Sequence, residues 1–408
     1  MLSEVWDRWR DRPRWASQQA LRNLREQADV VLYLVNAAEE PAAAAYVAPE
    51  MQLLAWVGTP VLVLLNQLGA PRESAAELTD VQRWRSSLAP FALVQAVLPL
   101  DAFARCWVQE AGLLRAIEHA LPAPQQGAAR RLAQAWSVQH QATFEAAMAV
   151  LANSLARTAL ARQVIEGGGA WLDRLRRVGA RVGLPGGDDD AVQRAQNALA
   201  AAAQEEVRDS TAALLALHHL EGRAQGEILQ RVAGLVQVRQ RVDEGSAALL
   251  GGVVSGALAG LKADIVSGGL TLGGGMLAGG LLGALGAAGL ARGANVVRGT
   301  GQGWLGWQSA ALTPMLHAAV LPYLAVAHFG RGRGEWAQGE APAHWQGVVE
   351  AACEPQHAAL ELLWQQRGEA LDVRTQTLAQ ALHPILADTT RRALAALYPD
   401  AAGAESRI

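Results

Sequence analysis

A reaction centre needs a nucleophile, an acid or base, a metal cage or a fixed charge, and each candidate of that kind in this chain stands alone. The single lysine, Lys262, lies in Gly260-Leu261-Lys262-Ala263-Asp264. That does not match Gly-x-x-x-x-Gly-Lys-Ser/Thr, the loop whose backbone amides and lysine hold phosphates. Cys106 and Cys353 are far apart and lack Cys-x-x-Cys spacing, so neither a zinc ribbon nor a disulfide framework is expected and a reducing compartment is inferred. His218-His219 has no third ligand at useful spacing and reads as a surface or packing pair. Trp6, Trp9 and Trp15 interleave with Arg8, Arg10, Arg12 and Arg14, a pattern able to stack on bases. Asp7 and Asp11 dilute that charge, and a partly buried surface segment is preferred. Asn66-Gln67-Leu68-Gly69, taken in isolation, is a strand-to-helix turn of the kind Asn and Gly favour. No residue present is assigned catalysis, and no metal site is expected.

The elements around that turn are legible. Val30 to Val35 and Pro60 to Leu65 are short runs rich in Val and Leu, bounded by polar or turn residues. Such runs suggest strands buried on both faces, as in a parallel sheet. Between them Pro49-Glu50 suits a helix start, Met51, Leu54 and Ala55 keep helical spacing, and Gly58 closes the element. Strand, helix, strand implies a right-handed βαβ unit. Ahead of it Ser17 is read as the cap of a helix carrying Ala20, Leu21, Leu24 and Ala28 on one face. After it, Leu78, Val81, Trp84 and Leu88 place a helix within residues 72–88, and Phe91 to Leu98 forms a third strand. Pro122-Ala123-Pro124 with the following Gln-Gln-Gly marks a domain boundary.

In this order the segments of residues 1–122 resemble the later half of a small GTPase domain of the Era and tRNA-modification-GTPase type. The resemblance rests on the strand at Val30, the Pro-started helix, the strand closed by Asn66-Gln67-Leu68-Gly69 where the family has Asn-Lys-x-Asp, and Asp101-Ala102 where it has a Ser-Ala guanine loop. It implies an α/β fold, a partial P-loop GTPase-like parallel sheet whose N-terminal half is absent. It also implies nucleotide base-binding roles. Asn66 would bridge base and phosphate loop, Gln67 would lie along the base without charge, and Gly69 would offer no carboxylate to the purine. Asp101 and Ala102 would present the backbone amide to the guanine oxygen. A site built on such hydrogen bonds owes on the order of 10⁴-fold discrimination to them, so guanine selectivity is not expected here. GTP and Mg²⁺ are implied only if the missing N-terminal half is present, and this chain alone should be inactive as a GTPase. Without the family's first strand, the Val30 strand would be an apolar edge requiring a cover, with missing residues the first candidate.

The remainder reads as a large all-α, glycine-rich domain. The chain has 408 residues and a formal net charge of −3, so its charge gives no general bias toward nucleic acid, which is not expected as a partner. Residues 128–244 are an α-helical region, with a long helix running to about Glu166 and a basic amphipathic stretch around Trp171, Leu175, Val178 and Val182. Asp188-Asp189-Asp190 begins another helix with an Ala-rich seam of Val192, Ala195, Leu199 and Ala202. Residues 245–333 are a glycine-rich apolar helical hairpin region. Gly245 to Leu261, Ile265 to Ala291 and Gly299 to Gly330 carry no formal charge, and Gly252, Gly256, Gly260 and Gly275, Gly279, Gly283 recur every fourth residue. That spacing suits close helix pairs in membranes. Glycine also lowers helix propensity by about 1 kcal/mol per residue, so a membrane hairpin and a soluble core hairpin both stand. Residues 334–400 return to amphipathic helices.

Two functional readings follow. In the first the protein is a GTPase-related nucleotide-binding protein, N-terminally truncated, whose helical domain associates with a membrane or partner protein through residues 245–330. It would be cytoplasmic, with association at the inner membrane. This arrangement resembles a proteobacterial GTPase family ending in a helical domain of unknown function. In the second it is a non-enzymatic membrane-associated or scaffold protein with a vestigial G domain. No small-molecule substrate is inferred.

Overall fold

The computed structural model describes residues 12–68, 72, 74–101, 106–165, 189–220, 290–294, 303–307, 309–329, 344–369 and 375–399. The chain divides into two compact units, the first comprising residues 1–141, 331–337 and 394–408, the second residues 142–330 and 338–393. That division falls at 141–142, beyond the Pro-rich break at 122–124.

The first unit is mixed α/β. Its elements are α1 (Arg12–Glu26), β1 (Val31–Asn36), α2 (Val47–Val57), β2 (Val61–Asn66), α3 (Ser74–Leu88), β3 (Val94–Pro99) and α4 (Trp107–Ala120). The strands form a parallel sheet in the order β1-β2-β3, with Val31 opposite Val61 and Asn36 opposite Asn66. β2 is central, and Val61 to Leu65 are all buried, as a two-sided strand requires. β1 is the edge. Its Val31 and Val35 are buried, whereas Leu32 is 43 % and Leu34 53 % exposed. Successive side chains point to opposite faces, so only one face of β1 is covered. The expectation of burial on both faces holds for β2 and not for β1.

One face of the sheet forms a core of Val31, Val35, Val61, Val63, Leu65 and Val97 beneath Met51 and Leu54 of α2 and Val81, Trp84 and Leu88 of α3. Leu62 and Leu64 alternate to the other face, and α4 packs against β2 and β3. α2 starts at Val47, two residues before Pro49, and ends at Gly58 with φ 83°, whose amide donates to the Leu54 carbonyl at 2.9 Å. The left-handed backbone there is one that glycine adopts without steric cost. Ser17 lies inside α1, and its hydroxyl donates to the Pro13 carbonyl instead of capping the helix. β3 begins at Val94, three residues past Phe91.

α5 (Ala123–Leu160) spans 38 residues and ends sooner than the sequence suggested, because residues 162–165 form β4. The second unit adds α6 (Asp189–Leu217), β5 (Leu290–Ala294), β6 (Gly303–Trp307), α7 (Ser309–Phe329), α8 (His344–Cys353), α9 (His357–Glu369) and most of α10 (Thr375–Leu397). The expectation of an all-α domain is corrected here: β4, β6 and β5 make an antiparallel sheet, Arg162 pairing with Gly306 and Arg292 with Leu305. β5 and β6 fall inside the stretch read as a helical hairpin, so part of that stretch is strand. Aromatics and alternation explain the outcome: Gly-Trp-Leu-Gly-Trp places Trp304 and Gly306 on one face and Leu305 on the other. A Cβ on Gly306 would sit 2.9 Å from the Trp304 ring, and the Arg162 guanidinium lies 4.4 Å from that ring's centroid.

α7 is a core helix of this unit. Leu312, Leu316, Val320, Tyr323 and Val326 are fully buried, and Pro314 and Pro322 are accommodated within the helix. Residues Ala311–His328 are long and apolar enough to cross a membrane, and 72 % of that window is buried inside the protein. The seam of α6 is Ala195, Leu199 and Ala203, one position on from Ala202. His218 packs edge-on against Tyr323, and His219 takes φ 55° where α6 ends, its amide donating to the Ala216 carbonyl at 3.0 Å. The pair therefore packs and terminates a helix. The basic stretch around Trp171 and the glycine repeats from Gly252 to Gly283 lie outside the described residues.

Candidate functional site

The carboxyl ends of the three parallel strands bring the sequence-derived candidates to one edge of the first unit. Asn36 and Asn66 are the last residues of β1 and β2 and face each other in register. The Ala37 amide donates to the Asn66 carbonyl at 2.7 Å. Asn36 folds its own side chain back, with Oδ1 accepting the Ala38 amide at 3.1 Å and Nδ2 donating to Glu39 Oε1 at 3.2 Å. This Asx-type turn reverses the chain at the end of β1.

Gln67 follows at φ 58° with an exposed side chain. For a residue with a Cβ that conformation costs on the order of 1 kcal/mol, so the surroundings must hold it. They do so one residue later, where the Leu68 amide donates to Asp101 Oδ2 at 2.8 Å. Asp101 is only 3 % exposed, and the Leu100 amide beside it donates to the Leu65 carbonyl at 3.2 Å. The two loops expected to face a base are thus joined to each other. Gly69 and Ala102 lie outside the described residues. Asn66, Gln67 and Asp101 come together at this edge, although Asp101 enters as an acceptor for the Leu68 amide, a role its position did not suggest.

Two further ties flank the edge. Gln109 of α4 accepts the Cys106 amide at 2.9 Å through Oε1 and donates to the Pro99 carbonyl at 3.1 Å through Nε2, clamping the start of α4 to the end of β3. On the other side Asp80 pairs with both Arg72 and Arg83, and Arg83 also pairs with Glu40 of the β1–α2 loop. Burial alone would push the Asp80 carboxyl up, but hydrogen bonds from the two arginines outweigh it and hold the group below its ordinary value. Glu77 accepts the Arg72 amide at 2.9 Å, yet burial pushes its carboxyl upward. Sequence reading missed this network. Its available signal was Asp80 and Arg83 three apart on one helix face; Arg72 and Glu40 join only through folding.

Among the described residues no group of three His, Cys, Asp or Glu is arranged to hold a metal ion. Cys106 and Cys353 are both buried and neither forms a disulfide.

The model of a family described as a domain of unknown function, DUF3482, matches residues 85–381. The chain belongs to that family. The matched DUF3482 region runs from the last turn of α3 through β3, α4 and α5 into α10, so it takes in Asp101 and the antiparallel sheet and leaves Asn66 and Gln67 outside. No curated protein and no solved structure matches the DUF3482 chain.

Proposed function

We propose that this DUF3482 protein is GTPase-related, that the carboxyl edge of its parallel sheet is the base-facing side of a nucleotide site, and that its helical region engages a membrane or a partner protein. One observation carries the nucleotide reading: Asn66, Gln67 and Asp101 share the carboxyl edge of a parallel sheet. Ligands of open α/β sheets bind at that end of the strands. Gln67, exposed at a left-handed backbone position, is the residue best able to lie along a base.

The edge selects poorly. Residue 69 is glycine and has no carboxylate, and Asp101 spends one of its oxygens on the Leu68 amide. Guanine and adenine nucleotides should therefore bind alike. Titration of fluorescent guanosine and adenosine analogues, which need no phosphate loop, should give affinities within about threefold of each other, weakened by Gln67→Ala. No saturable binding of either analogue would overturn the nucleotide reading.

A non-enzymatic scaffold is the second reading, and the Leu68–Asp101 tie favours it, since it uses a loop carboxylate for structure. The membrane arm of the proposal draws on the charge-free runs and on Ala311–His328. Co-sedimentation of the full chain with anionic vesicles tests it, and recovery of all protein in the supernatant would remove it.

A further inference from the structure

Beside the end of β3, the first unit contains an apolar cleft open to solvent on one side. Its walls are apolar: Leu78 and Val81 of α3, Leu98 and Leu100 at the end of β3, and Leu397 and Pro399 at the chain's last described turn. Glu77 is the one formally charged residue in the lining. Its Oε1 accepts the Arg72 amide at 2.9 Å, while no hydrogen bond reaches Oε2 from the described residues. The nearest cation, Arg72, is engaged by Asp80. The other polar residues of the wall are Tyr398 and Gln109, the latter occupied by the Cys106 amide and the Pro99 carbonyl.

A half-buried carboxylate with one oxygen unserved, set in an apolar cavity, is complementary to a cationic donor carrying a hydrocarbon body. We propose that this cavity binds small amphiphilic amines, with the ammonium on Glu77 Oε2 and the alkyl chain against Leu78, Val81, Leu98 and Leu100. The site is independent of the nucleotide reading and of the residues that carry it. Anionic amphiphiles are disfavoured because they would bring a second negative charge beside Glu77 with no free cation in the lining. Burial pushes the Glu77 carboxyl up, and the Arg72 amide and guanidinium do not offset it.

The test compares octylamine, octanol and octanoate by calorimetric titration into the full chain. Octylamine should bind saturably and at least about tenfold more tightly than octanoate. Glu77→Gln, which keeps an oxygen for the Arg72 amide, should reduce octylamine affinity about tenfold and leave octanol unchanged. Leu78→Trp, which fills the mouth from a partly exposed position, should block both. Saturable binding of octanoate equal to that of octylamine, absence of octylamine binding, or full octylamine affinity in Glu77→Gln would each overturn the proposal. The head-group comparison on the unmodified protein decides it even if a variant does not fold.

Discussion

The Leu68 amide and the Asp101 carboxylate meet at 2.8 Å across 33 residues of chain, fastening the loop after β2 to the loop after β3. A buried carboxylate accepting a backbone N–H is a charge-assisted bond worth about 1.5–3 kcal/mol, and losing the acceptor leaves the amide unsatisfied. Asp101→Ala should therefore lower stability by about 2 kcal/mol, with Asp101→Asn, which retains an acceptor, costing less. Urea denaturation of the two variants against the parent measures the difference; equal stabilities would show that the tie contributes nothing.

Asp80 and Glu77 should give opposite pH signatures. Asp80 is held below its ordinary value in the folded state, so its contribution is present above the unfolded value of about 3.9 and is lost as pH falls through the lower folded value. Glu77 is raised, so its ionisation opposes folding and stability falls as pH rises from about 4.3 through the raised folded value. Thermal melts across this range should show Asp80→Asn losing the acid-side dependence and Glu77→Gln losing the fall on the other side.

In the antiparallel sheet, Gly306→Ala should be destabilising by about 1–3 kcal/mol, since its Cβ would meet the Trp304 ring at 2.9 Å and the ring is held by Arg162. Pairing it with Trp304→Leu should recover part of the loss, because the two residues share one contact. Additive effects in the double-mutant cycle would show that the ring is not what requires glycine.

Arg367 reaches the Ala159 carbonyl at 2.7 Å and the Trp307 carbonyl at 2.8 Å, joining the end of α5 to the end of β6. Arg367→Met should cost about 2–4 kcal/mol by leaving two strand- and helix-end carbonyls without a donor. Lysine, a point donor in place of a planar fork, should restore less than half. Denaturation midpoints of the two variants give the comparison.

Leu32 and Leu34 sit exposed on an edge strand, a template for pairing with another chain. Leu34→Lys should reduce concentration-dependent self-association in light scattering while leaving the melting temperature within a degree or two. An unchanged scattering profile would show that this edge does not associate.

Much of the first unit was legible because its signals are local. Two apolar runs of strand length with a helix between them specify β1, α2 and β2, and Gly58 closes α2 where a left-handed backbone is needed. The same local logic read Ser17 as a cap although it lies inside α1, because a residue that suits a cap also fits a helix interior by bonding its own i−4 carbonyl. The second unit misled more. A run poor in charge and rich in glycine resembles a close-packed helix pair, yet Gly303–Trp307 pairs as a strand with the nearby Leu290–Ala294 and with Arg162–Ile165, far from it in sequence. Strand pairing of that kind is a property of the partner as much as of the segment.

The edge described first shows the same division. Sequence alone determined which residues stand at the strand ends, since Asn66 and Asp101 follow apolar runs of strand length. Sequence alone also determined that residue 69 carries no carboxylate and that the only lysine lies elsewhere. Only the tertiary structure decided what Asp101 is engaged with, that Gln67 takes a left-handed backbone, and that Arg72, Asp80, Arg83 and Glu40 form one network. The reason is physical: side-chain identity follows from position in the chain, whereas a hydrogen bond between residues 33 apart exists only once a folded sheet has brought their loops together.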